Sequence, residues 1–323
     1  MRLDNIIRLE LTVGMRYFLF LLIILTGFNP PVKAQEPERK NAARILKDIQ
    51  KLNVLGNVLY VAAHPDDENT QLIAYMAQHE LVNTAYFSCT RGDGGQNLIG
   101  PEISEKLGLI RTEELLAARR IDGGRQFFSR AIDFGYSKHP DETFNVWDRD
   151  QVLGDLVWVI RQFWPDVIIT RFNDEAGRTH GHHTASAMLA REAFRLAADP
   201  ESYPEQLAFV DVWQSRRLFW NTSWWFYGSM DFDDSGMIKI DAGTYDPLLG
   251  MSYTEIAARS RSMHKSQGFG VMSSRGEEME YLVQWEGDAA SNGIFESIDL
   301  SWDRVEGGES MDRCRWILSL FPE

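Results

Sequence analysis

VLYVAAHPDDENTQLIAYMA, residues 58–77, runs from one apolar stretch through His64, Pro65, Asp66, Asp67 and Glu68 into another. Val58 to Ala62 reads as a strand, and Glu68 to Gln78 reads as a helix through Leu72, Ile73, Tyr75 and Met76. The ionisable residues therefore occupy a strand-to-helix junction at the edge of a core. Burying them bare would cost on the order of several kcal/mol per charge. A metal ion is the first candidate for what offsets that cost.

Working outward, Ala42 to Leu52 has helical spacing, and NTAYFSCT (Asn83 to Thr90) reads as a strand closed by the glycine-rich RGDGGQN turn. Ile110 to Ile121 and Val152 to Phe163 read as helices, RQFFSRA (Arg125 to Ala131) and PDVIITRF (Pro165 to Phe172) as strands, and Thr184 to Leu196 as a helix. The alternation predicts an α/β fold, a mostly parallel twisted sheet flanked by helices in the Rossmann-like manner. The motif core spans 54–200 of a domain running from 42 to 323. The remainder, 201–323, is a less regular α+β portion, with strand-like RRLFWNTSWWFYGS and a capping box at Ser252 and Glu255. The chain stops soon after CRWILSLF, with no polar tail, as a piece of a longer protein would.

A second cluster follows the strand PDVIITRF. Three of the seven histidines, His180, His182 and His183, fall within four residues in RTHGHHTAS. In a parallel sheet, strand-to-helix junctions share one rim, so the two clusters can meet there. His180 and His183 share a face if helical, whereas His182 should point elsewhere. Two imidazoles and one carboxylate leave an open coordination position, the pattern of a catalytic zinc. Such a metal lowers the pKa of its water to about 7. A spare Asp then serves as general base, and a spare His, if protonated, stabilises an oxyanion. Taken singly, each residue has a plainer explanation. Asp66 and Asp67 can cap the following helix, and His64 can be a hydrogen-bonded core residue. The coincidence of two such clusters at matching junctions favours the site.

AAHPDDE followed far downstream by HGHH resembles the LmbE-like, PIG-L family of zinc-dependent N-acetylglucosamine de-N-acetylases, over about Leu55 to Leu196. The resemblance implies that His64, Asp67 and His183 hold one zinc ion per chain, other divalent metals being alternatives. It implies that Asp66 is the general base and His180 the electrophilic histidine beside the scissile carbonyl. The usual middle of the second motif is Pro-Asp, and here it is Gly181-His182. TRGDGGQN resembles a family loop in which Arg91 and Asp93 are candidates to face substrate, the alternative being a tight glycine turn. RTEELLAARRIDG resembles the family's R-x-x-E helix, where Arg111 and Glu114 are expected to form a structural ion pair. MHKSQ resembles a late segment that would bring His264 or Gln267 near the site. The expected function is removal of the N-acetyl group from an N-acetylglucosamine-type sugar or glycoconjugate. The alternatives are an amidase on another sugar conjugate, another metallohydrolase such as a phosphoesterase, and a non-catalytic sugar-binding protein.

Composition narrows the partners. A formal net charge of −14 argues against nucleic acid, whose phosphates it would repel, and gives no support to binding at an anionic membrane. Hydrophobic residues make up 44% of 323, enough for a sizeable core. Residues 1–34 read as a signal peptide, with Met15 as the alternative start: Arg16, an apolar run from Tyr17 to Leu25, and the small-residue site Val32-Lys33-Ala34. The run is too short to span a membrane, so an exported, periplasmic or extracellular protein without a stable span after cleavage is expected. Two cysteines, Cys89 and Cys314, make no disulfide framework. Trp220, Trp224, Trp225 and Tyr227 are expected chiefly in the core, with sugar stacking as the alternative. Asn221 matches a glycosylation acceptor.

Overall fold

The computed structural model describes residues 40–227, 232–270 and 272–308. The expected signal peptide, Cys314 and CRWILSLF lie outside them. Among the described residues no helix is long and apolar enough to cross a membrane.

The first half alternates strand and helix as its sequence implies. Helix α1 (Ala42–Lys51) precedes β1 (Asn57–Ala62), α2 (Thr70–Gln78), β2 (Asn83–Ser88), α3 (Glu105–Asp122) and β3 (Arg125–Phe128). Then come α4 (Pro140–Phe144), α5 (Arg149–Phe163), β4 (Val167–Thr170), α6 (Gly181–Leu196) and β5 (Arg217–Thr222). These five strands are parallel, in the order β3-β2-β1-β4-β5. Sequence order therefore reverses between β1 and β4, and the loops leaving that pair diverge to form a crevice. Five of the six residues of β1 and all four of β4 are buried, as strands covered on both faces require. Leu59, Val61 and Ile168 pack under α5 and α6 on one face. Val58, Tyr60 and Ile169 pack with Leu72, Ile73 and Met76 of α2 on the other.

The second half contributes α7 (Trp224–Tyr227), β6 (Ile238–Asp241), β7 (Tyr245–Asp246), β8 (Met251–Ser252), α8 (Tyr253–Arg261) and β9 (Met279–Gly287). Strands β9 and β6 extend the sheet antiparallel beyond β5. The capping box at the head of α8 is present, Ser252 and Glu255 each serving the other's backbone. The aromatic stretch is not one strand. It turns after Thr222, so Trp220 is buried in β5 while Trp224 stands on α7, exposed. Asn221 is fully buried and bonded to Tyr60, Asn69, Arg171 and Glu280, which removes it as a glycosylation acceptor in the folded chain.

Candidate active site

The two motifs meet at the switch point because β1 and β4 are in register from Val58↔Val167 to Val61↔Thr170. The Arg171 amide continues the ladder, donating to the Val61 carbonyl at 3.0 Å. Their next residues therefore leave the sheet side by side. Beyond β1 the chain turns tightly. Asp67 Oδ2 accepts from the His64 amide at 2.7 Å and lies 3.0 Å from the His64 ring at Nδ1. Neither aspartate caps the next helix. Asn69 does so, its Oδ1 accepting from the amides of Gln71 and Leu72. Both carboxylates are left to face the crevice.

Beyond β4 the helix starts earlier than its apolar pattern suggested, because His180 is the N-cap of α6. Its Nδ1 accepts from the His182 amide at 3.0 Å. Gly181 is held against the loop after β3, where a Cβ would lie about 2.5 Å from the His139 carbonyl oxygen and the Ser137 hydroxyl. A side chain there would push the cluster off the rim. His183 lies flat on Phe172, ring centroids 3.8 Å apart and 2° from parallel. Its Nε2 is 3.3 Å from Asp67 Oδ1.

His64, Asp67 and His183 thus each offer a ligand atom within 4.8 Å of the others. Two imidazoles and a carboxylate suit a borderline-soft divalent ion such as zinc, with a coordination position to spare. Burial opposes ionisation of Asp67, but the His183 and His64 rings outweigh it and hold its carboxyl well below the usual range. The carboxylate is ready to act as a ligand. His180 is different. Burial, with the neighbouring His64 and His183, lowers its pKa to about 4. It is therefore neutral near pH 7, and since Nδ1 accepts the cap bond, its proton sits on Nε2. His180 thus offers an uncharged N–H donor, not the protonated histidine on which the sequence reading made its oxyanion role conditional.

Two further expectations need correction. His182 does not point away. It is fully buried, stacked on Trp147 at 4.9 Å, with Nδ1 3.1 Å from His64 Nε2. Arg111 does not pair with Glu114. Its guanidinium binds Asp66 and donates to the Gly92 carbonyl at 3.1 Å, while Glu114 accepts from Ser266. Gly92, at φ +70°, bends the RGDGGQN loop beneath that guanidinium, where any side chain would collide with it. Arg91 and Asp93 are the flanks of this turn. Arg91 lies 4.1 Å over Phe128, and Asp93 accepts from the Asp133 amide.

A cleft of about 550 Å³ opens from Asp66, Asp67 and His183 toward Arg171, Trp224 and Glu280. Arg91 and Asp93 are not among its lining residues. His264 is near but turned inward, its Nε2 2.7 Å from Glu68 Oε1, and Arg119 links Glu68 to Asp122. Gln267 donates to the Gln96 carbonyl. Sequence reasoning did not nominate Arg171, Phe172 or Glu280 as site residues, nor Asp133, which borders the histidines. None of them stands in a motif, and only the topology brings them here.

Residues 59–194 match the family model described as PIG-L, GlcNAc-PI de-N-acetylase. The mycothiol S-conjugate amidase of Streptomyces coelicolor is 32% identical over 178 residues, covering 51% of this chain and 60% of the relative. The 1D-myo-inositol 2-acetamido-2-deoxy-alpha-D-glucopyranoside deacetylase of Streptomyces avermitilis is 30% identical over 181 residues, again 51% and 60%. The matched region thus spans under two thirds of these relatives. A solved structure of N,N'-diacetylchitobiose deacetylase from Pyrococcus horikoshii aligns with 72% of this chain and 81% of its own, at 17% identity and a TM-score of 0.48. With the HPDD and HGHH loops brought together at the β1/β4 switch point, residues 59–194 carry the similarity to the PIG-L family.

Proposed function

We propose that the protein is a metal-dependent amidohydrolase that removes acetate from an N-acetylglucosamine-type sugar or glycoconjugate. The observation that carries the reading is the convergence of His64, Asp67 and His183 beside Asp66 at the head of a cleft. These three residues would hold the metal, which when bound supplies Lewis-acid polarisation of the amide carbonyl and an acidified water. The chain's own groups do the rest. Arg111 fixes one oxygen of Asp66, leaving the other to take a proton from the attacking water as its oxygen bonds to the amide carbon. His180 donates from Nε2 to the carbonyl oxygen as charge develops there. The C–N bond then breaks, and the proton held by Asp66 passes to the leaving amine.

The likeness to a mycothiol S-conjugate amidase supports a second reading, an amide of a thiol–sugar conjugate as substrate. Measuring acetate against other released acids separates the two. Export rests on residues 15–35 and remains our proposal from sequence.

The test is detection of new amines across a panel of N-acetylated glycans, with and without chelator. Asp66→Asn should keep its metal and lose most turnover, about a hundredfold or more given what general-base catalysis contributes. Full activity in that variant, or activity indifferent to chelator, would sink the assignment.

A further inference from the structure

His64 belongs to two sets of donors. Its Nδ1 faces Asp67, the first set. Its Nε2 faces the opposite way, toward His182 Nδ1 at 3.1 Å. His64, His180 and His182 form a second trio, each offering a nitrogen within 4.8 Å of the others. Two nitrogens sharing one tetrahedral zinc lie about 3.3 Å apart, given bonds of about 2.05 Å, so the observed pair is already spaced to share an ion.

A carboxylate stands beside them. Asp133 is buried, its Oδ2 4.0 Å from His64 Nε2 and its Oδ1 3.8 Å from His182 Nδ1. Both separations are too long for a hydrogen bond. Among the described residues, these two rings are its only ion-pair neighbours. The Gly135 amide donates to Oδ1 and fixes the carboxylate in place. A buried carboxylate that makes a hydrogen bond to neither ring is costly without a cation. The N-terminal end of α6 disfavours a cation nearby, and Asp133 compensates for that. His182 stands where the resembling motif has Asp.

We propose that His64, His180, His182 and Asp133 form a second, weaker divalent-cation site, and that filling it shuts the enzyme off. The inhibitory half rests on the function proposed above, whereas the binding half does not. With both ions bound, the His64 ring bridges them through Nδ1 and Nε2, and its N–H proton has passed to solvent. The N-terminal end of α6 makes the second ion the weaker one. Its capture of His180 through Nε2 displaces that nitrogen's proton to solvent, and with it the donor to the carbonyl oxygen.

The experiment is equilibrium dialysis of the full chain against zinc alone, with bound metal counted by elemental analysis. Wild type should hold one ion at low free zinc and two at high. Asp133→Asn and His182→Asn should each hold one. Asp67→Asn should lose the tighter ion and keep the weaker. Amine release by wild type should rise with the first ion and fall with the second, and Asp133→Asn should show no fall. A single ion at saturation in wild type overturns the proposal, as do two ions in both site variants. If His182→Asn does not fold, judged by circular dichroism, the wild-type count and Asp133→Asn still decide. Two bound ions with no amine release at any zinc level would uphold the site and overturn the proposed function instead.

Discussion

Asp66 and Asp67 are neighbours with the same chemistry, and their surroundings separate them. Asp67 looks at two imidazoles, whereas Asp66 looks at the Arg111 guanidinium. Arg111 is buried and reaches across to the Gly92 carbonyl as well, so its fork holds the Asp66 side chain and the RGDGGQN turn together. We expect Arg111→Ala to lower kcat for amine release by about ten- to a hundredfold, the scale of a misplaced reacting group, with a smaller change in KM. It should also cost roughly 2 kcal/mol in urea unfolding, less than a fully buried pair because Asp66 reaches the cleft. Arg111→Lys keeps the charge but cannot make both contacts, so it should fall between. An unchanged kcat in Arg111→Ala would leave Arg111 a structural ion only. The three side chains that converge, His64, Asp67 and His183, were legible in sequence because each stands in a dense motif. Arg111 was seen but given the wrong partner, since its neighbour along the helix, Glu114, is visible in sequence and Asp66, 45 residues away, is not. His182 was misplaced for a related reason. Helical spacing says which way a side chain leaves the axis, but not that His64 and Trp147 are waiting on that side.

Apolar runs located the strands and helices of the first half, and polar end residues set where they stop. Helix α2 begins at Thr70 rather than Glu68 because Asn69 takes the cap. Helix α5 begins at Arg149, behind the cap Asp148, although its apolar pattern starts only at Val152. Trp224 to Tyr227 defeats the pattern altogether. Aromatic residues favour strands, yet after Thr222 the chain leaves the sheet and makes one helical turn. Where both halves of a cap were readable, the prediction is quantitative. Ser252→Ala removes the acceptor of the Glu255 amide and should cost about 1 kcal/mol, a fall in Tm of roughly 2–4 °C for a domain of this size. Differential scanning calorimetry measures it. Helix α8 also carries Ser260 to Asp122 and Arg261 to the Asp66 carbonyl, so fraying from its first turn loosens a support of the site. A Tm unchanged within 0.5 °C or so, against the several degrees a lost cap commonly costs, would show that α8 is held by packing on α2 and α3 and not by its cap.

At the scale of the molecule, the mostly parallel sheet was implied by alternation, while its strand order, with the reversal at β1/β4, and the polar wall of the cleft were not. That wall depends on β9, which joins the sheet antiparallel beside β5 and brings Glu280 against Asn221 across 59 residues. Glu280 is buried, and burial raises its pKa above the ordinary 4.5 despite hydrogen bonds from Asn69 and Asn221, the Arg171 charge also opposing the rise. The folded chain therefore holds this proton more tightly than the unfolded chain. Through the window from about 4.5 up to the raised value, the folded state binds more protons, so this group's contribution to stability declines as pH rises and stays unfavourable above it. Asp67 works with the opposite sign. Its depressed pKa contributes stability above its ordinary 3.8 that is lost on acidification. Glu280→Gln keeps an oxygen for the Asn221 amide and abolishes the titration. Urea unfolding of both proteins from pH 4 to pH 7.5 should show the variant gaining on wild type as pH rises and more stable than it at neutral pH, with little difference at pH 4. A variant less stable at neutral pH would mean that the Glu280 charge is needed by Arg171 more than burial opposes it.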